Sequence, residues 1–130
     1  MAEFVTDTQA LVMFMMGRKV INDSAHQAFL EADRGDGIII IPAIVLMEML
    51  YLFEKNRIQV GLLHAEDLLE SSNYQVQPLD LNILKTAAKI DDIPELHDRL
   101  IAATAVFLGL PLIMNDPVIQ ASRYTQIVQP

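Results

Sequence analysis

Four carboxylates stand where a chain of alternating strands and helices can bring them together: Asp7, Glu48, Asp98 and Asp116. Carboxylates within a few ångströms repel one another and raise one another's pKa unless a cation sits among them. A hard divalent ion resolves that conflict. With no Cys in the chain and no His pair at ligand spacing, an all-oxygen donor set selects Mg²⁺ or Mn²⁺ over zinc. Such an ion lowers the pKa of a bound water and stabilises the attacking and leaving oxygens of a phosphodiester displacement. Hydrolysis of nucleic acid is the chemistry implied.

Each acid also has a plainer role open to it. Asp7 and Asp116 end short β-prone runs and precede helices, so both are N-cap candidates, and Asp116-Pro117 matches a cap followed by Pro at the first helical position. Asp98 suits a first helical turn, where the macrodipole favours acids, with His97 and Arg99 beside it as pairing partners. Glu48 is harder to dismiss. It stands between Ile44-Val45-Leu46-Met47 and Met49-Leu50-Tyr51-Leu52-Phe53, on a helix with almost no polar face. An unpaired carboxylate buried there is costly, so it needs a partner, a proton or a metal.

The elements that must position these acids follow from periodicity and punctuation. Phe4 to Thr6 is a β-prone run, and Thr8 to Met16 has helical apolar spacing. Asn22, Asp23 and Ser24 offer N-caps for a helix reaching about Arg34, closed by Gly35-Asp36-Gly37. Ile38 to Ile41 lacks polar alternation and reads as a strand buried on both faces, and Ala43 to Phe53 as a buried helix behind Pro42. A more amphipathic helix spans Leu62 to Leu69, Tyr74 to Val76 is a third strand, and Leu79 to Ile90 is a helix stopped by Asp91-Asp92. The alanine-rich segment from Asp98 to Ala105 is helical, turns at Gly109 and enters a strand at Pro111 to Ile113. A short helix from Pro117 to Ala121 and a last strand at Ile127 to Val128 complete the order.

Alternating strands and helices joined by short connections give right-handed crossovers and an α/β fold with a parallel sheet. A helix leading into a strand runs antiparallel to it, so its N-terminus and the strand's C-terminus share one edge. Asp7 and Asp116 reach that edge from strand ends, and Asp98 from a helix start. Glu48, about six residues into its helix, stays within roughly 10 Å of it at ~1.5 Å per residue. This is the edge where open α/β sheets place their ligands.

The 130 residues make one domain, residues 1–130, with room for a core needing no staples. Hydrophobic residues at 52% point to a sheet buried on both faces, to apolar surface covered by a partner, or to both. A net charge of −8 with no basic run counts against a protein that coats nucleic acid by bulk charge, but not against an enzyme whose acids hold cations. The absence of Cys fits a reducing compartment. No basic n-region precedes Leu11 to Met16, and the longest apolar run, Ile38 to Phe53, is broken by Pro42 and Glu48. No export, no membrane span and a cytoplasmic location are therefore expected.

Val5-Thr6-Asp7-Thr8, Pro42 with Glu48 six residues on, His97-Asp98-Arg99-Leu100-Ile101-Ala102-Ala103-Thr104-Ala105, and Pro111-Leu112-Ile113 closing on Asp116 together resemble the PIN-domain ribonucleases. Among these the chain is most similar to the VapC-like toxins of toxin–antitoxin pairs. The resemblance implies a three-layer α/β/α domain whose central parallel sheet has four to five short strands. It implies a Mg²⁺- or Mn²⁺-dependent endoribonuclease acting on RNA, a homodimer, and a cognate antitoxin whose tail enters the active-site groove. It assigns Asp7, Glu48, Asp98 and Asp116 to the acidic quartet, Thr8 to the hydroxyl beside the first Asp, and Arg99 to the basic residue after the third. The chain departs from the family at Met114, where Thr or Ser usually stands two residues before the last Asp.

That departure keeps a second reading open, a PIN-fold module that binds RNA or protein without cutting. A third, an aspartyl-phosphate on Asp7, is weaker because Gln9 stands where a second Asp is usual. Met13, Met15, Met16, Met47 and Met49 read as core or dimer-face filler, and His26 and His64 as surface residues. Arg18, Lys19, Lys55 and Arg57 are candidates for phosphate contacts.

Overall fold

A computed structural model describes residues 1–129 of the chain. The isoleucine run becomes the inner strand β2 (Gly37–Pro42), flanked by β1 (Ala2–Thr6) and β3 (Tyr74–Gln77), and the fourth strand β4 (Leu112–Ile113) lies on the far side of β1. The order is β3-β2-β1-β4, and every pairing is parallel. Ile39 and Ile41 are fully enclosed and Ile40 nearly so, which accounts for the missing polar alternation. The expected fifth strand shrinks to one parallel bridge between Leu112 and Ile127, held by Leu112 N–H to the Gln126 carbonyl at 2.7 Å and Val128 N–H to the Leu112 carbonyl at 3.0 Å.

Helices flank the sheet: α1 (Thr8–Met15), α2 (Asp23–Asp33), α3 (Ala43–Glu54), α4 (Leu62–Leu69), α5 (Leu81–Lys89), α6 (Leu96–Leu108) and α7 (Pro117–Gln120). Of three possible caps for α2, Asn22 is used, accepting from the Ala25 N–H at 2.8 Å. Helix α5 starts at Leu81 rather than Leu79, because Asp80 accepts from the Ile83 N–H at 3.0 Å and so fixes the N-terminus. Gly109 ends α6 in the left-handed region at φ 68°, where a side chain would be strained, and the chain turns into β4.

One expectation fails in an informative way. Helix α3 is not a buried helix. Ile44, Val45 and Met49 enter the core, whereas Met47, Leu50, Tyr51 and Phe53 stay 40–53% exposed, so the helix lacks a polar face because its outer side is bare apolar surface. His26 is likewise not a free surface residue: half-buried, it packs edge-on to Phe14 and its Nδ1 accepts from the Val20 N–H at 3.2 Å. His64 is exposed, as expected, and its Nδ1 accepts from the Gly61 N–H at 2.9 Å.

Two polar ties fix the frame. The Asp91-Asp92 pair anchors the segment after α7, since Asp92 accepts from the Ser122 hydroxyl at 2.8 Å and the Arg123 N–H at 2.9 Å, while the Arg123 guanidinium reaches Asp91 at 2.9 Å. Tyr74, only 3% exposed, donates its hydroxyl to Asp33 at 2.5 Å and so links β3 to α2. Burial, with the Asp33 carboxylate, holds that phenol well above its usual pKa. Tyr74→Phe removes the tie while keeping the ring, so a loss of about 1 kcal/mol is expected in urea unfolding. A midpoint equal to wild type would show the tie contributes nothing.

Candidate active site

The sheet's C-terminal edge opens into a cavity of about 340 Å³ whose walls include Asp7, Glu48, Asp98 and Asp116. Asp7 arrives at the end of β1, Asp116 from the loop after β4, Glu48 from the second turn of α3, and Asp98 from the first turn of α6. The register explains the meeting. Val5 and Thr6 pair with Leu112 and Ile113, which puts the exits of β1 and β4 side by side.

Capping and site-building turn out to be one arrangement. Asp7 caps α1 by accepting from the Ala10 N–H at 2.8 Å through Oδ1, and Asp116 caps α7 by accepting from the Val118 N–H at 2.8 Å through Oδ1. Each cap fixes its carboxylate and leaves Oδ2 without a protein donor among the described residues. Glu48 is half-buried and receives the Thr8 hydroxyl on Oε1 at 2.6 Å, a partner supplied from 40 residues away. Asp98 is not the residue that opens α6. Glu95 is the cap, taking the Asp98 N–H at 2.7 Å on Oε2 and lying 3.0 Å from His97 Nδ1 through Oε1. Both oxygens of Asp98 therefore remain uncommitted among the described residues.

The electrostatics show that these groups feel one another. Burial pushes the Asp7 carboxyl up to about 7, opposed by the Ala10 N–H bond and reinforced by the charges of Glu48, Asp98 and Asp116. Asp98 is also raised, by burial first and then by Glu95, Asp116 and Glu48, with His97 opposing. As they stand, no three His, Asp or Glu side chains among the described residues converge tightly enough to enclose a metal ion. Donor chemistry is the better guide to fit, because two of the four acids spend an oxygen on a helix cap and all four repel. The cavity offers carboxylate oxygens and no imidazole or thiol, with one acid whose ionised form is costly at neutral pH. That donor set fits a hard divalent cation.

Thr8 lines the cavity and orients Glu48, whereas Arg99 does not reach the wall. Asp98 and Ile101 share the cavity-facing side of α6, and Arg99 lies about 100° further round the helix. It is half-buried, with Nε unpartnered among the described residues. None of Arg18, Lys19, Lys55 and Arg57 lines the cavity, and Lys19 is paired with Asp23 at 2.5 Å. Met114 is buried in the core at 2% exposure and offers the site no hydroxyl. Gln9 and Asn115 are further wall residues, each within two positions of a site Asp, which is the signal in the sequence that points to them. Glu95 was missed as a cap because Asp98, three residues on, resembled the helix start.

The PIN domain family model matches residues 4–122. No curated protein sequence matches the chain. Among solved structures, the chain is similar to VapBC2 from Rickettsia felis, bound to a DNA fragment from its promoter, with TM-score 0.70, 18% identity and 96% of each chain covered. It is similar to DNA-bound VapBC from Salmonella typhimurium, with TM-score 0.68, 20% identity, and 98% of this chain and 97% of that one covered. It is also similar to VapC20 of Mycobacterium tuberculosis, described as a Sarcin-Ricin loop cleaving toxin, with TM-score 0.64, 14% identity, and 97% and 99% covered. At these identities the likeness is one of fold.

Proposed function

The chain belongs to the PIN-domain family, and from that premise we propose that it is a Mg²⁺- or Mn²⁺-dependent endoribonuclease, the toxin of a toxin–antitoxin pair. The observation that carries this reading is the cavity in which Asp7, Glu48, Asp98 and Asp116 share one wall system. These four would hold the ion, which when bound supplies an activated water and neutralises charge on the scissile phosphate. The protein's own part is positional. The caps on Asp7 and Asp116 lock their carboxylates, and Thr8 holds Glu48 by its hydroxyl. Near neutral pH the Asp7 carboxyl retains a proton for much of the time, so a cation must displace it. Arg99, outside the wall, is assigned no contact with the reacting atoms.

With a net charge of −8, the acids repel RNA unless cations intervene. A cognate antitoxin and a second copy of the chain are the proposed protein partners. The exposed apolar side of α3 and α4, with Leu50, Phe53, Leu62 and Leu63, supports partner contact. So do the VapBC structures that the chain resembles. No described helix is long and apolar enough to cross a membrane, and a cytoplasmic site of action is part of the proposal. Buried Met114 favours the second reading, a module that binds RNA or protein without cutting.

Incubating the purified protein with structured and unstructured RNAs in EDTA, Mg²⁺ or Mn²⁺ separates the two. Cleavage with metal and none in EDTA is expected. Binding without cleavage under any condition would favour the non-cutting module.

A further inference from the structure

A second cavity, of about 430 Å³, adjoins the acidic one and shares Glu48 with it. Its other walls are Met47, Tyr51 and Leu52 from one face of α3, and His97 from the first turn of α6. Apart from Glu48 the lining is apolar or aromatic, and Tyr51 is 53% exposed although it stands on a helix packed into the core. One turn further along, Lys55 places its ammonium 5.7 Å from the centre of the Tyr51 ring.

We propose that this cavity receives an unstacked nucleobase of single-stranded RNA next to the phosphate that is cut. The inference rests on the nuclease reading and adds a recognition subsite to it. The occupant is argued from continuity and charge. Anything lodged here lies against the acidic cavity on the Glu48 side and against the Tyr51 ring, over which Lys55 holds its ammonium. A flat base between two phosphates matches that sequence of surfaces, whereas an isolated apolar side chain needs neither flank. Proteins that bind single strands stack bases on aromatic rings and hold the backbone with nearby cations. The His97 ring offers a second π face, steadied by the contact between Nδ1 and Glu95 at 3.0 Å. Lys55, one of the basic residues singled out for phosphate contact, thereby gains a defined place.

The test uses short single-stranded oligoribonucleotides carrying the fluorescent base 2-aminopurine at successive positions, mixed with wild type, Tyr51→Phe and Tyr51→Ala in Mg²⁺. Fluorescence is read before scission, and KM and kcat are read afterwards. With wild type and Tyr51→Phe, quenching is expected at one position beside the cut. With Tyr51→Ala the quench disappears and KM rises about tenfold while kcat changes by less than about twofold. Tyr51 is exposed, so a melting temperature equal to wild type verifies that Tyr51→Ala folds. Unchanged quenching and KM in Tyr51→Ala overturn the proposal and leave the cavity as a surface for protein. If no RNA is cut at all, the nuclease reading fails on its own, and the position-specific quench still decides whether a base sits on Tyr51.

Discussion

Asp7→Asn is expected to abolish RNA cleavage while making the metal-free protein more stable above neutral pH. Asp7 is displaced from 3.8 to about 7, with burial the largest cause. A carboxyl whose folded pKa lies above its unfolded value favours folding fully below about pH 4. That contribution is lost as pH rises through about 7. A difference of this size corresponds to roughly 4 kcal/mol between the two ends of that window. Asp98 is raised as well and adds to the same trend. Asn carries no charge at any pH and still accepts the Ala10 N–H as an N-cap, so the variant keeps the structure and loses the titration. In urea unfolding with EDTA, wild type should weaken by about 3 kcal/mol from pH 5 to pH 8, and Asp7→Asn by distinctly less. Parallel unfolding of the two proteins at both pH values would show that Asp7 is not the group under tension.

That opposition between stability and activity bears on what could be seen in the residues alone. The meeting of Asp98 and Asp116 was legible, because a helix leading into a parallel strand fixes both ends at one sheet edge regardless of side-chain detail. The caps at Asp7 and Asp116 were also legible, but weighing cap against site set up a false choice: a carboxylate has two oxygens, and a cap uses one. The partner of Glu48 was out of reach, since the Thr8 hydroxyl comes from 40 residues away and only the packing of α1 on α3 joins them. The apolar circumference of α3 reads as burial, and the structure leaves its outer side exposed, for a related reason. Periodicity reports how many sides of a helix avoid charge and is silent on which sides face a neighbour. Arg99 rests on the family resemblance alone, for the cavity that Asp98 lines does not include it among its walls.

Asp98→Asn separates a metal site from a cluster of capped acids. Asp98 makes no cap, and its oxygens accept from no described residue, so its replacement disturbs the frame less than a change at Asp7 or Asp116. An ion that binds only the folded protein stabilises it by about 2.7 kcal/mol at one hundred times its Kd. For a chain of this length that is a rise in Tm on the order of 10 °C. Wild type is expected to show such a rise with Mg²⁺ or Mn²⁺ over EDTA, and Asp98→Asn to lose most of it. Cleavage should fall at least about 100-fold, since even groups that merely orient metal ligands cost up to that factor when removed. The two readouts constrain each other. An equal Tm rise in both proteins would remove Asp98 from the ligand set. A rise in wild type without RNA cleavage would favour the module that binds and does not cut. No rise in either protein would return all four acids to the roles of caps and mutually repelling charges, and with them the nuclease reading would fall.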